Sequence, residues 1–203
     1  MTDHVVVDVE IQKTIEETQS GWDATDKLGV AVACLWEYRT QRMRVYGPDD
    51  VPALRERLLS ADRISGYNIW NFDFPVVWGI AKPFWMNLLG DPDAQIGTAS
   101  RIKHELKNKT NDILRRIWIA QGFDPDRWQA GMGGSKLDDV AWTTIGVKKI
   151  GNGADAPRWY WSGQIQRVVN YCADDVAIER DLADFVDKYG YVIHRGKQLF
   201  LNK

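Results

Sequence analysis

Residues 5–10 read Val-Val-Val-Asp-Val-Glu, a β-branched run with few folding options other than a strand buried on both faces. Alternation along a strand sends Val5, Val7 and Val9 one way and Val6, Asp8 and Glu10 the other, so the two carboxylates share a face. Two explanations fit an acid pair there. Either the strand runs out into solvent at a sheet edge, or a divalent cation neutralises charges that are costly to bury.

Composition narrows the setting. With 203 residues, 44% hydrophobic and 27% charged, the chain is expected to form one globular domain over residues 1–203. A formal net charge of -2 excludes a protein-wide positive field, so any contact with nucleic acid must use a local basic groove or bound metal. Cys34 and Cys172 are far apart and lack metal-ligand spacing, which suits reduced thiols in a cytoplasmic protein. No stretch reaches the ~18 apolar residues of a membrane span, and no leader pattern opens the chain, so a cytoplasmic protein without membrane contact is expected.

Along the chain, residues 11–27 read as an irregular connection lying beside the site. Residues 28–36 and 42–46 read as a hairpin around a turn at 37–41, 51–60 as a helix with Asp49 or Asp50 as N-cap, and 63–67 as a short strand. This order predicts an α/β layer fold with a mixed sheet and ligands at the strand ends. Asp73, between Phe72 and Phe74 and two residues before Pro75, suits a helix N-cap, a site carboxylate, or both. Asn68 suits either a left-handed turn or a side chain orienting that carboxylate. Residues 85–106 show little periodicity. Between Arg101 and Arg116 six basic residues face two acids, either a solvated helix face or a phosphate track. Helices are expected over 110–121 and 135–145, the second with a capping box from Ser135 and Asp138. The loop carrying Lys148 and Lys149 is either a substrate contact or an ordinary surface turn. In the helix expected over 164–188, heptad stripes put Asp174 on the wet side and Asp175, with Tyr171 one turn earlier, on the buried side.

Asp8-Val9-Glu10, the segment Gly66 to Pro75 and Tyr171-Cys172-Ala173-Asp174-Asp175 resemble, in order, the three motifs of DEDD 3′ to 5′ exonucleases of the RNase H-like superfamily, the tyrosine marking the DEDDy branch. The second and third look closest to proofreading domains of family B DNA polymerases, and the segment Ser135 to Ala141 resembles the helix between them. The resemblance implies a three-layer RNase H-like fold with a mixed central sheet. It further implies two divalent cations, Mg²⁺ or Mn²⁺, on Asp8, Glu10, Asp73 and Asp175, with Asp8 bridging and Tyr171 orienting the attacking water. The implied substrate is a single-stranded DNA or RNA 3′ end, released as nucleoside monophosphates. Ile11, Asn68, Lys136, Lys148 and Lys149 are candidate substrate contacts, and Trp70 is either a base-stacking residue or part of the core. Ile11 stands where polymerase domains often carry Thr, so contacts to the terminal nucleotide are expected to differ. No polymerase module is expected in these 203 residues, so proofreading in cis is not expected, and small stand-alone phage and bacterial proteins look closer in architecture. An endonuclease or structure-specific RNase on the same scaffold and a silent binding module are the alternatives.

Overall fold

Both faces of the Val5–Glu10 run are covered, and the other elements are arranged around that requirement. The computed structural model describes residues 2–18, 21–87 and 98–201. In chain order its elements are β1 (His4–Ile11), α1 (Thr25–Leu28), β2 (Val30–Glu37), β3 (Arg42–Tyr46), α2 (Val51–Ser60), β4 (Arg63–Gly66), α3 (Asp73–Trp78), α4 (Lys82–Asn87), α5 (Thr98–Lys107), β5 (Thr110–Asp112), α6 (Ile113–Ala120), α7 (Leu137–Ile145), α8 (Ala156–Trp161), α9 (Ile165–Tyr189), β6 (Tyr191–His194) and β7 (Lys197–Phe200). Five strands form one sheet in the order β3-β2-β1-β4-β5. β1 pairs antiparallel with β2 and parallel with β4, and β4 pairs parallel with β5, so the sheet is mixed. β6 and β7 form a separate hairpin. No helix among the described residues is long and apolar enough to cross a membrane.

The alternation in β1 divides the core as its sequence predicts. Val5, Val7 and Val9 pack with Leu54 and Leu58 of α2 and with Phe74 and Val77 of α3. Val6 points the other way and joins Val32 and Cys34 of β2 against Trp159 of α8 and Val168, Cys172 and Val176 of α9. Each fully buried aliphatic contributes about 1.5–3 kcal/mol, so neither face can be stripped cheaply. Asp8 and Glu10 continue the Val6 face, and α9 is therefore the element that meets them. Two thiols tie α9 to the sheet: Cys172 donates to the Asp8 carbonyl at 3.3 Å and Cys34 to the Val169 carbonyl at 3.7 Å. Both cysteines are buried free thiols.

Several local expectations change. Asp50 stands before α2 without capping it; its Oδ2 accepts from the Gly47 N–H at 2.9 Å. Residues 110–112 form β5 beside β4, and α6 begins only at Ile113, because a three-residue strand is too short to carry a periodic signature. The capping box at Ser135 is absent. Ser135 Oγ pairs with His194 Nε2 at 2.9 Å, and α7 starts at Leu137. The β6–β7 hairpin was not expected, although Arg195 and Gly196, with φ of 50° and 73°, supply the left-handed pair that a tight hairpin turn needs. Within residues 85–106, positions 88–97 lie outside the described residues.

The basic run does not form a phosphate track. Lys103 is buried and donates to the Trp85 and Met86 carbonyls, and Lys109 donates to the Leu59 carbonyl. Arg115 holds Asn71 Oδ1, the Pro125 carbonyl and Asp126, while Arg116 holds Asn111 Oδ1 and the Leu201 carbonyl. Four of the six cations thus satisfy carbonyls and acids of the protein itself.

Candidate metal centre

One carboxylate oxygen from each of Asp8, Glu10 and Asp175 lies within 4.8 Å of the others. The pairing of sheet and helix produces this: Asp8 and Glu10 share a face of β1, and Asp175 is on the inward stripe of α9, as the heptad spacing predicts. Asp174 is exposed. Asp73 and Tyr171 line the same cleft, of about 420 Å³. Asp73 is the first residue of α3 and does not cap it through its side chain.

The loop before Asp73 is held from below. Asn68 adopts φ 67°, the left-handed conformation its residue type tolerates. Asp112, only 3% exposed, accepts from the backbone N–H groups of Asn68 at 2.9 Å and Trp70 at 3.0 Å, and from Arg115 N at 3.3 Å as the cap of α6. Gly66, where the loop leaves β4, has no room for a side chain: a Cβ there would lie 2.9 Å from the Val7 carbonyl oxygen.

Asp8 Oδ2, Asp73 Oδ1 and Asp175 Oδ1 are buried without hydrogen-bond partners. Asp8 as a whole is partly covered, but this oxygen is not open to solvent. Among the described residues, the cation at the cluster is Lys149, whose Nζ is 2.6 Å from Asp175 Oδ2 and 5.2 Å from the Tyr171 ring centre. Its backbone N–H is fixed by Asp138 Oδ1 at 2.9 Å, the interaction Asp138 makes in place of a capping box. The Tyr171 hydroxyl feels both Asp175 and Lys149 yet meets no partner in hydrogen-bonding geometry.

Burial, then repulsion from Asp175, pushes the Asp8 carboxyl up to about 7. Burial followed by the charge of Asp8 raises Glu10 and Asp73 well above the usual range, and burial raises Asp175 even with Lys149 beside it. Burial alone would lower Lys149, but the charges of Asp175 and Asp8 more than offset this and raise it. An all-oxygen donor set with orphaned buried oxygens is what a hard divalent cation requires, so the residues fit such an ion.

These shifts predict a pH dependence for the metal-free protein. Carboxyls raised in the folded state bind protons that the unfolded chain has released, so their stabilisation is present at low pH and lost as pH rises through about 7. His4, lowered to about 4, works in the opposite sense below the ordinary imidazole value of 6.5, and Lys103, lowered to about 8, does so above about 8. Between pH 6.5 and 8 the acids dominate. In EDTA the melting temperature is expected to fall across that window, and Asp8→Asn is expected to flatten the fall. A wild-type melting temperature that rises from pH 6.5 to 8 would contradict the electrostatic account.

Ile11, Asn68 and Lys149 line the acid cleft, and Lys136 lines an adjoining recess of about 510 Å³. Lys148 lines neither; it is exposed, with Nζ 4.8 Å from the Trp142 ring centre. Trp70 is core. It is 3% exposed, packed on Phe74 and Trp85, with Lys103 and Arg115 over its ring, and so has no face to offer a base. Two acids escaped the sequence reading. Glu179, one turn beyond Asp175 on the same stripe, is 1% exposed with Oε2 unpartnered, and burial raises it well above the carboxylate range. The spacing that singled out Asp175 extends to it. Asp112 had no such signal, because its role depends on the unforeseen β5.

No protein-family model matches the sequence, and no curated protein matches it. Among solved structures, the chain is similar to the family B DNA polymerase from the hyperthermophilic archaeon Pyrobaculum calidifontis, with a TM-score of 0.58 and 16% identity. The match covers 92% of this chain and 24% of the polymerase, so the chain spans about a quarter of that protein's length. At this identity the likeness shows the fold, which is α/β and RNase H-like.

Proposed function

We propose that the chain is a metal-dependent 3′ to 5′ exonuclease acting on single-stranded nucleic acid. The observation that carries this reading is the convergence of Asp8, Glu10 and Asp175 within 4.8 Å, with orphaned buried oxygens and with Asp73 and Tyr171 on the same cleft. The similarity to a polymerase supports a nucleic-acid substrate. Asp8, Glu10, Asp73 and Asp175 would hold two divalent cations. When bound, such ions acidify a water and stabilise a leaving oxygen in phosphodiester hydrolysis.

The chain's own groups supply the remaining work. The Tyr171 hydroxyl, close to Asp175 and Lys149, would orient the attacking water. Lys149, which lines the cleft with its Nζ 2.6 Å from Asp175 Oδ2, would attract the scissile phosphate. Asn68 and Ile11 flank the terminal nucleotide. The test is a time course on 5′-labelled single-stranded DNA and RNA with Mg²⁺, Mn²⁺ or EDTA. A ladder shortening by one nucleotide, abolished by EDTA, is expected. Discrete internal products would replace the reading with an endonuclease, and binding without cleavage with a silent module.

A further inference from the structure

We propose that Trp22 is a substrate-positioning residue that stacks on the nucleobase beside the scissile phosphodiester; this assignment rests on the exonuclease reading. Among the described residues, Trp22 is the large hydrophobic side chain that is both exposed, at 61%, and part of the acid cleft. Leaving an indole in water forfeits the burial that Trp70, Trp85 and Trp159 obtain at 0–4% exposure, and the other exposed indoles, Trp128, Trp142 and Trp161, do not line the acid cleft.

Its placement gives that exposure a use. Trp22 meets Phe72 edge to face, with ring centres 5.8 Å apart and planes at 63°. Phe72 immediately precedes Asp73, so the indole is referenced to a site carboxylate. Trp22 also belongs to the wall shared by the acid cleft and the adjoining recess with exposed Lys136. Each space, about 420 and 510 Å³, is within the range of small-ligand sites. A strand laid across both, with its phosphate at the acids, brings the bases flanking that phosphate against the indole. Every base has a π-face, so such a contact grips the end without reading sequence.

The test compares wild type, Trp22→Ala and Trp22→Phe on single strands that carry either normal 3′ nucleotides or abasic residues at the terminal and penultimate positions. For normal strands Trp22→Ala is expected to raise KM roughly 5- to 150-fold, the range of base–aromatic stacking, with Trp22→Phe recovering most of the loss. On the abasic strand wild type should already bind poorly and Trp22→Ala should add nothing. Equal losses on both strands, or none on the normal one, would overturn the assignment. Anisotropy of the same strands in EDTA reads stacking without turnover. A base-dependent difference there without cleavage sinks the exonuclease reading alone; cleavage without that difference sinks the role of Trp22 alone.

Discussion

Asp8→Ala protein is expected to lose hydrolysis by roughly 10³-fold or more in Mg²⁺ while melting, metal-free at pH 8, at or above the wild-type temperature. The first effect follows from position. An Asp8 oxygen lies within 4.8 Å of one from each of Glu10 and Asp175, and its charge raises Glu10, so its removal takes one oxygen donor out of the cluster. Metal stabilisation of developing charge is worth several kcal/mol, and each 1.4 kcal/mol is about tenfold in rate. The second effect follows from repulsion: a carboxyl held near 7 by burial and Asp175 opposes folding once ionised. Initial rates on a labelled oligonucleotide and thermal unfolding in EDTA measure the pair. Activity within tenfold of wild type would remove Asp8 from the site, and a large loss of stability would mean that the acid holds the fold rather than the metal.

Asp112→Ala is expected to do the reverse, destabilising the protein by about 3 kcal/mol or more. It would strip acceptors from the part-buried N–H of Asn68 and the buried N–H of Trp70 and uncap α6 at Arg115. Each buried donor left unmade costs about 1–3 kcal/mol, and loss of a cap typically ~1 kcal/mol. The loop that Asp112 holds leads directly into Asp73, so hydrolysis should fall as well. Asp112→Asn keeps one acceptor oxygen but turns an amide toward the remaining N–H, and an intermediate loss is expected. Urea denaturation decides it; a change below 0.5 kcal/mol, the size of an ordinary surface effect, would contradict the role.

What was legible in the sequence was what repeats. The period of two in β1 assigned Val6, Asp8 and Glu10 to one face, and the heptad stripe of α9 separated Asp175 from Asp174; both follow from chain geometry that the fold leaves intact. The motif around Asp73 was legible only by resemblance, because a lone acid before Pro75 has an equally good local use at a helix start. The residues that escaped act through tertiary contacts. Asp112 depends on β5 pairing with β4, and Trp70, open between stacking and core, is decided only by the Phe74 and Trp85 rings that cover it; Lys149, a candidate contact from its sequence, owes its place at the acids to Asp138 of α7. Nothing in the spacing of Lys103 or Arg115 distinguishes a cation that grips phosphate from one that grips a buried carbonyl.

The central claim, hydrolysis at a free 3′ end by a site that needs divalent metal, is tested most directly with one DNA sequence prepared as a linear and as a circular single strand, each incubated with Mn²⁺ and with EDTA. Degradation of the linear strand from its 3′ end, with the circle intact and EDTA stopping all turnover, is the predicted result. Cutting of the circle at a comparable rate, or turnover that persists in EDTA, would contradict it.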